Sequence, residues 1–436
     1  MSSLSADRAE PALTPGEATR AVRALAMIPL LAYAALTQLD AVGNQLSARL
    51  PIGTTELILA GLIGTTVLLF LVPGRVATPA SNTGARLIAA MFCWAVFSWT
   101  MSRHNAEGLD YLKKLATALL PAFCLLAIVD TPARLRQIVW AIIAAGAVSA
   151  AIVLIESRTG TRIVSTALAA TSAGFEGVAR SAGGSDQNPT TAAQMLLVSV
   201  LLAGGLLFAG ERNGRLILAG VLAIGVVALV LASARSALIG FVAGAGLIAL
   251  SFRRERFFPL MVIGGIVAVV GAIPFLPATL VDRFTAIGDF GIDPTLYRRI
   301  SYLRIGGDLI EKSPIWGVGP GNYPLYYVTD AYRWMPGREL FPRELHNTYL
   351  DAATEYGLVG FGLFAAALGH ALHSAWRAAQ AKTLELGRLG MAAGVALAGL
   401  MVACFFMPHK DLRYLWLLVA IAIQCGRLRA IEERPA

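Results

Sequence analysis

Residues 216–252 read LILAGVLAIGVVALVLASARSALIGFVAGAGLIALSF, thirty-seven positions whose one charged side chain is Arg235. As a single helix rising 1.5 Å per residue, the run would extend about 55 Å. The hydrocarbon core of a bilayer is about 30 Å thick, so one crossing cannot absorb it. Two crossings joined by a tight turn at Ser233-Ala234-Arg235-Ser236 can. The stretch predicts an antiparallel pair of membrane-spanning helices with one guanidinium at the turn between them.

The rest of the chain has the same character. Of its 436 residues 56% are hydrophobic and 14% charged, and the mean hydropathy is +0.66. A soluble domain carries about 25% charged residues. The apolar residues come in blocks of span length, without the alternation of a barrel strand, and helices and closed barrels are the two structures that cross a bilayer. The expected fold is therefore an all-α integral membrane protein. Twelve candidate spans lie near 24–39, 57–73, 87–101, 115–130, 138–155, 191–210, 216–233, 236–252, 258–276, 352–374, 389–407 and 413–426. Residues 1–23 read as a polar, disordered tail and 427–436 as a second tail. The segment 24–276 carries nine spans and a loop at 156–190, and the last three spans fill 352–426. Between them lies a loop at 277–351 that contains short helices. No small-residue cleavage pattern accompanies the first span, which is expected to remain as a signal-anchor.

Charge orients this array. An even number of spans puts both termini on one side. That side holds eighteen Lys and Arg residues, and the other side holds ten once the eight in the long loop 277–351 are set aside. Long loops count little in the positive-inside rule, so the termini are expected to be cytoplasmic and both large loops to face outward. The net charge of +9 is accounted for by inner loops meeting anionic lipid, with no need for nucleic acid. The four cysteines, Cys93, Cys124, Cys404 and Cys425, all lie in apolar segments, so no disulfide framework is implied. CxxC, DxD, HExxH and GxSxG patterns are absent, which leaves metal-dependent transfer, metalloprotease and serine-hydrolase chemistry without support.

The polar residues that call for explanation sit in the outer loops. Arg235 in its tight turn points to a lipid phosphate, a carbonyl cap or a substrate pyrophosphate. The segment Thr295 to Lys312 reads as an amphipathic helix with Leu296, Ile300, Leu303, Gly307 and Ile310 on one arc. Arg299 falls within that apolar arc, where a guanidinium is costly unless it snorkels to headgroups or meets an anion. The run from Ser313 to Tyr323, with Gly317, Gly319 and Gly321, is a turn region whose structural reading is preferred to a phosphate-binding one. Arg180 opens a loop that ends at Asn188-Pro189, the start of the next span, and is either a substrate contact or a solvated charge.

His346 heads the string His346-Asn347-Thr348-Tyr349-Leu350-Asp351-Ala352-Ala353-Thr354-Glu355-Tyr356-Gly357-Leu358-Val359-Gly360. On a continuous helix His346, Leu350, Ala353, Gly357 and Gly360 form one stripe, and Asp351 and Glu355 fall on the opposite side. The position near a helix N-terminus favours a neutral imidazole, suited to act as a base. Asn347 is placed to orient that ring or to cap the helix. Gly357 and Gly360 let another helix, or a lipid chain, pass close by. His104 and His409 have no comparable neighbours in sequence, and His370 and His373 lie toward the inner end of a span.

The His-Asn string, followed after nine residues by Gly357 and after two more by Gly360, resembles the signature of O-antigen ligases. These belong to a superfamily with O-antigen polymerases and bacterial O-oligosaccharyltransferases. The Ser-Ala-Arg-Ser turn at 233–236, the Arg299 helix, the Pro-x-x-Gly-x-Gly-x-Gly run at 314–321 and the Arg-x-x-Gly…Asn-Pro loop at 180–189 occur in the same order. The similarity covers roughly 175–365, with one departure, the apolar Leu231-Ala232 ahead of the Arg-Ser turn. The resemblance implies a GT-C-like glycosyltransferase of the bacterial inner membrane, working at its periplasmic face. Such an enzyme moves a glycan from undecaprenyl diphosphate to a sugar hydroxyl of lipid A–core, with inversion and without metal or cofactor. On that reading His346 is the base, Arg235 and Arg299 hold the diphosphate, Arg180 meets diphosphate or acceptor, and Asn347, Gly357 and Gly360 support the site. A polymerase or protein O-oligosaccharyltransferase shares donor and arginines and differs in acceptor. A twelve-span anion transporter predicts paired charges within spans and an internal repeat, and the sequence shows neither.

Overall fold

The computed structural model describes residues 14–47, 52–72, 81–164, 180–254, 256, 258–259, 263 and 294–433. Among these residues all regular structure is helical. The helices are α1 (Pro15–Ser47), α2 (Thr54–Leu71), α3 (Thr83–Thr100), α4 (Asn105–Ile128), α5 (Pro132–Thr159), α6 (Pro189–Phe208), α7 (Arg215–Leu231) and α8 (Arg235–Ser251). After them come α9 (Pro294–Lys312), the short α10 (Tyr323–Tyr327), α11 (Thr348–Ala379), α12 (Leu384–Ala403) and α13 (Arg413–Glu432).

Eight of these helices, α1, α2, α4, α5, α6, α11, α12 and α13, are long and apolar enough to cross a membrane. The protein is a multi-pass membrane protein. The run 216–252 forms the expected pair, α7 and α8, each 17 residues long. The turn between them puts Ser233 at φ 50°. α3 occupies the place of the span expected at 87–101, but with Arg86, Ser98 and Thr100 it is more polar and is not among the eight. The span expected at 258–276 lies almost wholly outside the described residues. The described helices thus support eight crossings of the twelve expected. α1 begins at Pro15, so residues 15–23, read as part of a tail, are helical.

Local chemistry starts several helices where the sequence places them. Thr131 caps α5 ahead of Pro132, and Asn188 caps α6 ahead of Pro189, its Oδ1 accepting from the amides of Thr190 and Thr191 at 3.0 Å each. Proline at the first helical position has no amide to leave unsatisfied. α6 is the central helix, with 89% of its apolar window buried, against 22% for the peripheral α2. In a bilayer no hydrophobic force draws helices together, so close packing of small residues takes its place. α8 and α12 meet in this way: a Cβ added at Gly240 would lie 2.7 Å from the carbonyl oxygen of Gly399.

α9 is amphipathic, but its buried face differs from the expected arc. Ser301, Tyr302, Ile305 and Leu309 are buried, while Leu303 is 54% exposed. The helix lies on α11, and Tyr302, Ile305 and Leu309 form a small second core with Val318, Tyr323, Tyr327, Tyr332 and Leu345. The face is chosen by these tyrosines, which the wheel built from aliphatic residues left out. This layer closes the end of the bundle that carries His346.

Candidate active site

α11 begins one residue after Asn347, whose side chain accepts from the amides of Tyr349 (3.0 Å) and Leu350 (3.1 Å) and so serves as the cap. His346 therefore precedes the helix instead of heading a stripe on it. The helix is also broken. Gly357 adopts φ 69° and ψ 179°, which only glycine enters readily. The break is filled by the glycine-rich turn. Leu358 N donates to Pro314 O at 2.7 Å, Val318 N to Thr354 O at 3.0 Å and Gly319 N to Glu355 O at 3.0 Å. From α3, Trp94 Nε1 donates to Tyr356 O (2.8 Å) and Ser98 Oγ to Glu355 O (2.9 Å). A Cβ at Gly357 would lie 2.1 Å from Ile315 O. The close neighbour of Gly357 is thus the 313–317 turn, and that of Gly360 is Trp94 of α3, whose Cδ1 an added Cβ would meet at 2.7 Å.

The break changes the role of the acids. Asp351 and Glu355, expected to point away from the chemistry, are both buried and both pair with Lys410 from the α12–α13 connection. Lys410 Nζ contacts Asp351 Oδ2 and lies 2.8 Å from Glu355 Oε2. Glu355 also accepts from Gly321 N (2.6 Å) and Tyr323 N (3.1 Å), which ties the glycine-rich turn and α10 to α11. The ammonium stands over the rings of Tyr111 (5.0 Å) and Tyr356 (5.6 Å). Burial opposes its charge, but the two carboxylates outweigh burial and hold it protonated far above the ordinary lysine range. Beside it Lys114 pairs with Asp411 at 2.5 Å. Burial works to raise the Asp411 carboxyl, and Lys114 and Lys410 together hold it below its usual value. Ion pairs from α4 and α11 to the α12–α13 connection, which the sequence did not reveal, are therefore present at this end of the bundle.

His346 is half-buried against Tyr302, ring centroids 5.1 Å apart. Its Nδ1 is 2.9 Å from the carbonyl oxygen of Glu344. A carbonyl can only accept, so Nδ1 carries the proton, and in the neutral ring Nε2 is the basic nitrogen. Desolvation holds the imidazole down to about 4, helped by the charges of Arg299, Arg343 and Arg298 and opposed by the Glu344 carbonyl. Arg299 is half-buried, its guanidinium 5.6 Å from the Phe406 ring centroid. Its neighbour Arg298 is engaged by Glu339 at 2.9 Å.

A chain of hydrogen bonds links Thr348, at the start of α11, to Ser236 of the Arg235 turn. Thr348 Oγ1 donates to Met407 O (2.6 Å) and accepts from His409 N (3.0 Å). His409 Nε2 donates to Gln194 Oε1, and Tyr414 OH donates to its Nδ1 at 3.1 Å. Gln194 Nε2 donates in turn to Ser236 Oγ (2.7 Å), the residue after Arg235. His409, which appeared to lack relevant neighbours, is fully buried, is pushed down to about 3 by desolvation, and is near enough to His346 that charge on one disfavours charge on the other. Arg235 is half-buried at the start of α8. Arg180 is 5% exposed and donates from Nη1 to Thr190 Oγ1 at 3.2 Å, one helical turn from Gln194 on α6. The structure thus places Arg299 beside His346, Arg235 next to Ser236 at the far end of the hydrogen-bonded chain, and Arg180 at the N-terminus of α6. Sequence reasoning missed Lys410, His409 and Gln194. The one signal for Lys410 was a lysine in a short connection between two apolar runs. Among the described residues no group of three or more His, Cys, Asp or Glu side chains is arranged to hold a metal ion.

Residues 218–365 match the family model of O-antigen ligase. The chain carries an O-antigen ligase family domain. No curated protein matches the chain. The matched segment runs from α7 into α11 and takes in Arg235, Arg299, His346, Asn347, Gly357 and Gly360, together with the buried acids Asp351 and Glu355. Arg180, Gln194, His409 and Lys410 lie outside the matched O-antigen ligase segment yet pack against it or adjoin groups that do.

Proposed function

We propose that the protein is an inner-membrane O-antigen ligase. It transfers a glycan from undecaprenyl diphosphate to a sugar hydroxyl of lipid A–core, at the periplasmic face of a twelve-span bundle. The observation that carries this reading is the His346 ring. Its Nδ1–H is committed to Glu344 O and it is held neutral at physiological pH, so Nε2 can take the proton of an attacking hydroxyl. A diphosphate is a good leaving group that needs charge neutralisation and no protonation. Arg299 and Arg235 supply fixed guanidinium charge for it, and Arg180 stands nearer the loop that leads into α6. In-line attack inverts the anomeric centre, and arginine forks make the mechanism independent of metal.

The experiment uses the purified protein in nanodiscs with lipid-linked glycan and lipid A–core, with and without EDTA. Wild type is expected to glycosylate lipid A–core equally in both conditions, and His346→Ala and Arg235→Ala to lose most of that transfer. Full activity in His346→Ala removes the base assignment, and abolition by EDTA removes the metal-free mechanism. Growth of the lipid-linked glycan without transfer to lipid A–core assigns the protein to the polymerases instead.

A further inference from the structure

A cavity of about 660 Å³ lies at the end of the bundle away from His346, between the start of α3 and the C-terminal turns of α11 and α13. Small-molecule sites typically hold roughly 300–1,000 Å³, so it has room for a ligand. Arg377, Arg427 and Arg429 line it, with Glu433 as the one acid and His370 and His373 beside them. With both imidazoles neutral, two of the three guanidinium charges have no carboxylate to balance them within the lining. Asp130, the acid beyond Arg427, is already paired with Arg23 and Arg134.

The donors are not used up inside the protein. Arg429 is the engaged member: its Nε donates to Glu433 Oε1 at 2.7 Å and its Nη1 to Arg377 O. The same carboxylate is 4.0 Å from Arg377, beyond hydrogen-bonding reach, and the Arg377 side chain is 54% exposed. Arg427 is half-buried and gives one N–H to Leu126 O, at 2.5 Å. A guanidinium carries five N–H groups in a fork that fits phosphate oxygens, so both side chains keep donors for an anion. The third wall works in the same sense. Asn82 caps α3 and Thr83 opens it, and both line the cavity, so the positive end of that helix adjoins the arginines.

The rest of the setting belongs to a lipid. Ile423, Gly426 and Ile431 make part of the lining apolar, and Ile431 is 50% exposed. Trp376, next to Arg377, is 59% exposed, its ring centroid 5.7 Å from that of His373. An exposed tryptophan near the end of a span sits at headgroup level. The uncompensated positive charge disfavours a zwitterionic headgroup, whose ammonium would face guanidinium. We propose that this cavity seats the phosphodiester headgroup of an anionic phospholipid, held by Arg377 and Arg427. The proposal does not depend on the glycan-transfer reading.

The test uses delipidated full-length protein in detergent, titrated with phosphatidylglycerol, cardiolipin, phosphatidylethanolamine or glycerol 3-phosphate. Native mass spectrometry counts the bound molecules, and the melting temperature is followed in parallel. Wild type is expected to bind the two anionic lipids at least about tenfold more tightly than phosphatidylethanolamine, and to melt higher as either is added. Arg377→Gln breaks no hydrogen bond of that side chain among the described residues, so the fold is retained. It should weaken anionic-lipid binding about fivefold, the contribution of one arginine near an anionic surface. Arg377→Gln/Arg427→Gln should erase most of the preference. Arg20→Gln removes an exposed arginine at the same end but outside the cavity, and should change nothing. Equal binding of phosphatidylethanolamine by wild type overturns the proposal, as does a preference left intact in Arg377→Gln. An equal loss in Arg20→Gln would show general surface charge instead of a site. Glycerol 3-phosphate that binds as tightly as the lipids, in an Arg377-dependent way, would make the ligand a soluble phosphate ester and overturn the lipid assignment.

Discussion

The two ends of the bundle are both rich in charge and use it differently. At the end away from His346, Glu211 sits between Arg136 (3.2 Å) and Arg388 (3.6 Å), and Asp130 pairs with both Arg23 and Arg134. Each acid there has two arginines, and those arginines keep 11–29% of their side-chain surface in contact with solvent. In the Lys410 cluster at the His346 end the ratio is reversed. One lysine, 2% exposed, serves two carboxylates that are 5% and 2% exposed. The first arrangement staples neighbouring connections and tolerates the loss of a partner. The second leaves an uncompensated buried charge whenever one member is removed. A buried pair is weak evidence for stability in itself, because desolvation offsets the attraction. Its position explains it better: through Glu355 it fixes the glycine-rich turn, and through Asp351 and the adjacent His409 it fixes the connection beneath His346.

The largest expected effect is chemical. His346→Ala should lower transfer by about 10²–10⁴-fold, the usual contribution of a general base, with little change in thermal stability. Initial rates and a melting curve measured on the same preparation check it. A variant that melts far below wild type would mean the residue is structural. Next is Lys410→Met, which strands Asp351 and Glu355 and should destabilise by about 3–5 kcal/mol. The double variant Lys410→Met/Asp351→Leu should recover part of that loss in denaturant unfolding. No recovery would show that the network is not coupled as described.

Gly357→Ala comes third. It forces a side chain into a glycine region and against Ile315 O, and about 1–3 kcal/mol of strain is expected, with transfer reduced because the 313–317 turn must shift. The smallest effect belongs to the other end. Arg388→Ala leaves Glu211 with Arg136, and a cost of about 1 kcal/mol or less with unchanged transfer is expected. A larger loss would erase the contrast between the two ends.

Acid sharpens the same contrast. The imidazoles of His346 and His409 have depressed values of about 4 and about 3, against 6.5 for an ordinary histidine. Between pH 6.5 and about 4 the unfolded chain therefore takes up protons that the folded chain does not. Their contribution to stability is full above pH 6.5 and falls as the pH drops through that window. Transfer is expected to persist down to about pH 4, where the His346 ring takes up its proton, and to be lost below it. Melting temperature against pH, for wild type and His409→Gln, measures the slope. An unchanged slope in His409→Gln would show that the buried ring does not carry it.

Much of this was legible without coordinates. Apolar runs are local, and a bilayer demands that each be a helix, so eight of the twelve expected spans and the two shorter helices at 216–252 follow from composition. Arg235, Arg299 and His346 stood out as polar groups in apolar settings, and all three reach the same end of the bundle. Asn347 as a cap and Asn188-Pro189 as a helix start were readable from residue type.

What was not legible depends on contacts distant in sequence. A helical wheel assumes an unbroken helix, and Gly357 breaks this one because a turn some forty residues earlier supplies its hydrogen bonds. The same wheel put Asp351 and Glu355 away from the chemistry. Their partner, Lys410, is 59 residues beyond Asp351, and no spacing rule connects them. The sequence by itself determined which segments enter the membrane and which charges are costly there, since transfer free energies depend on the residue alone. Only the tertiary structure decided how those charges are compensated, because the compensation is a matter of which surfaces meet.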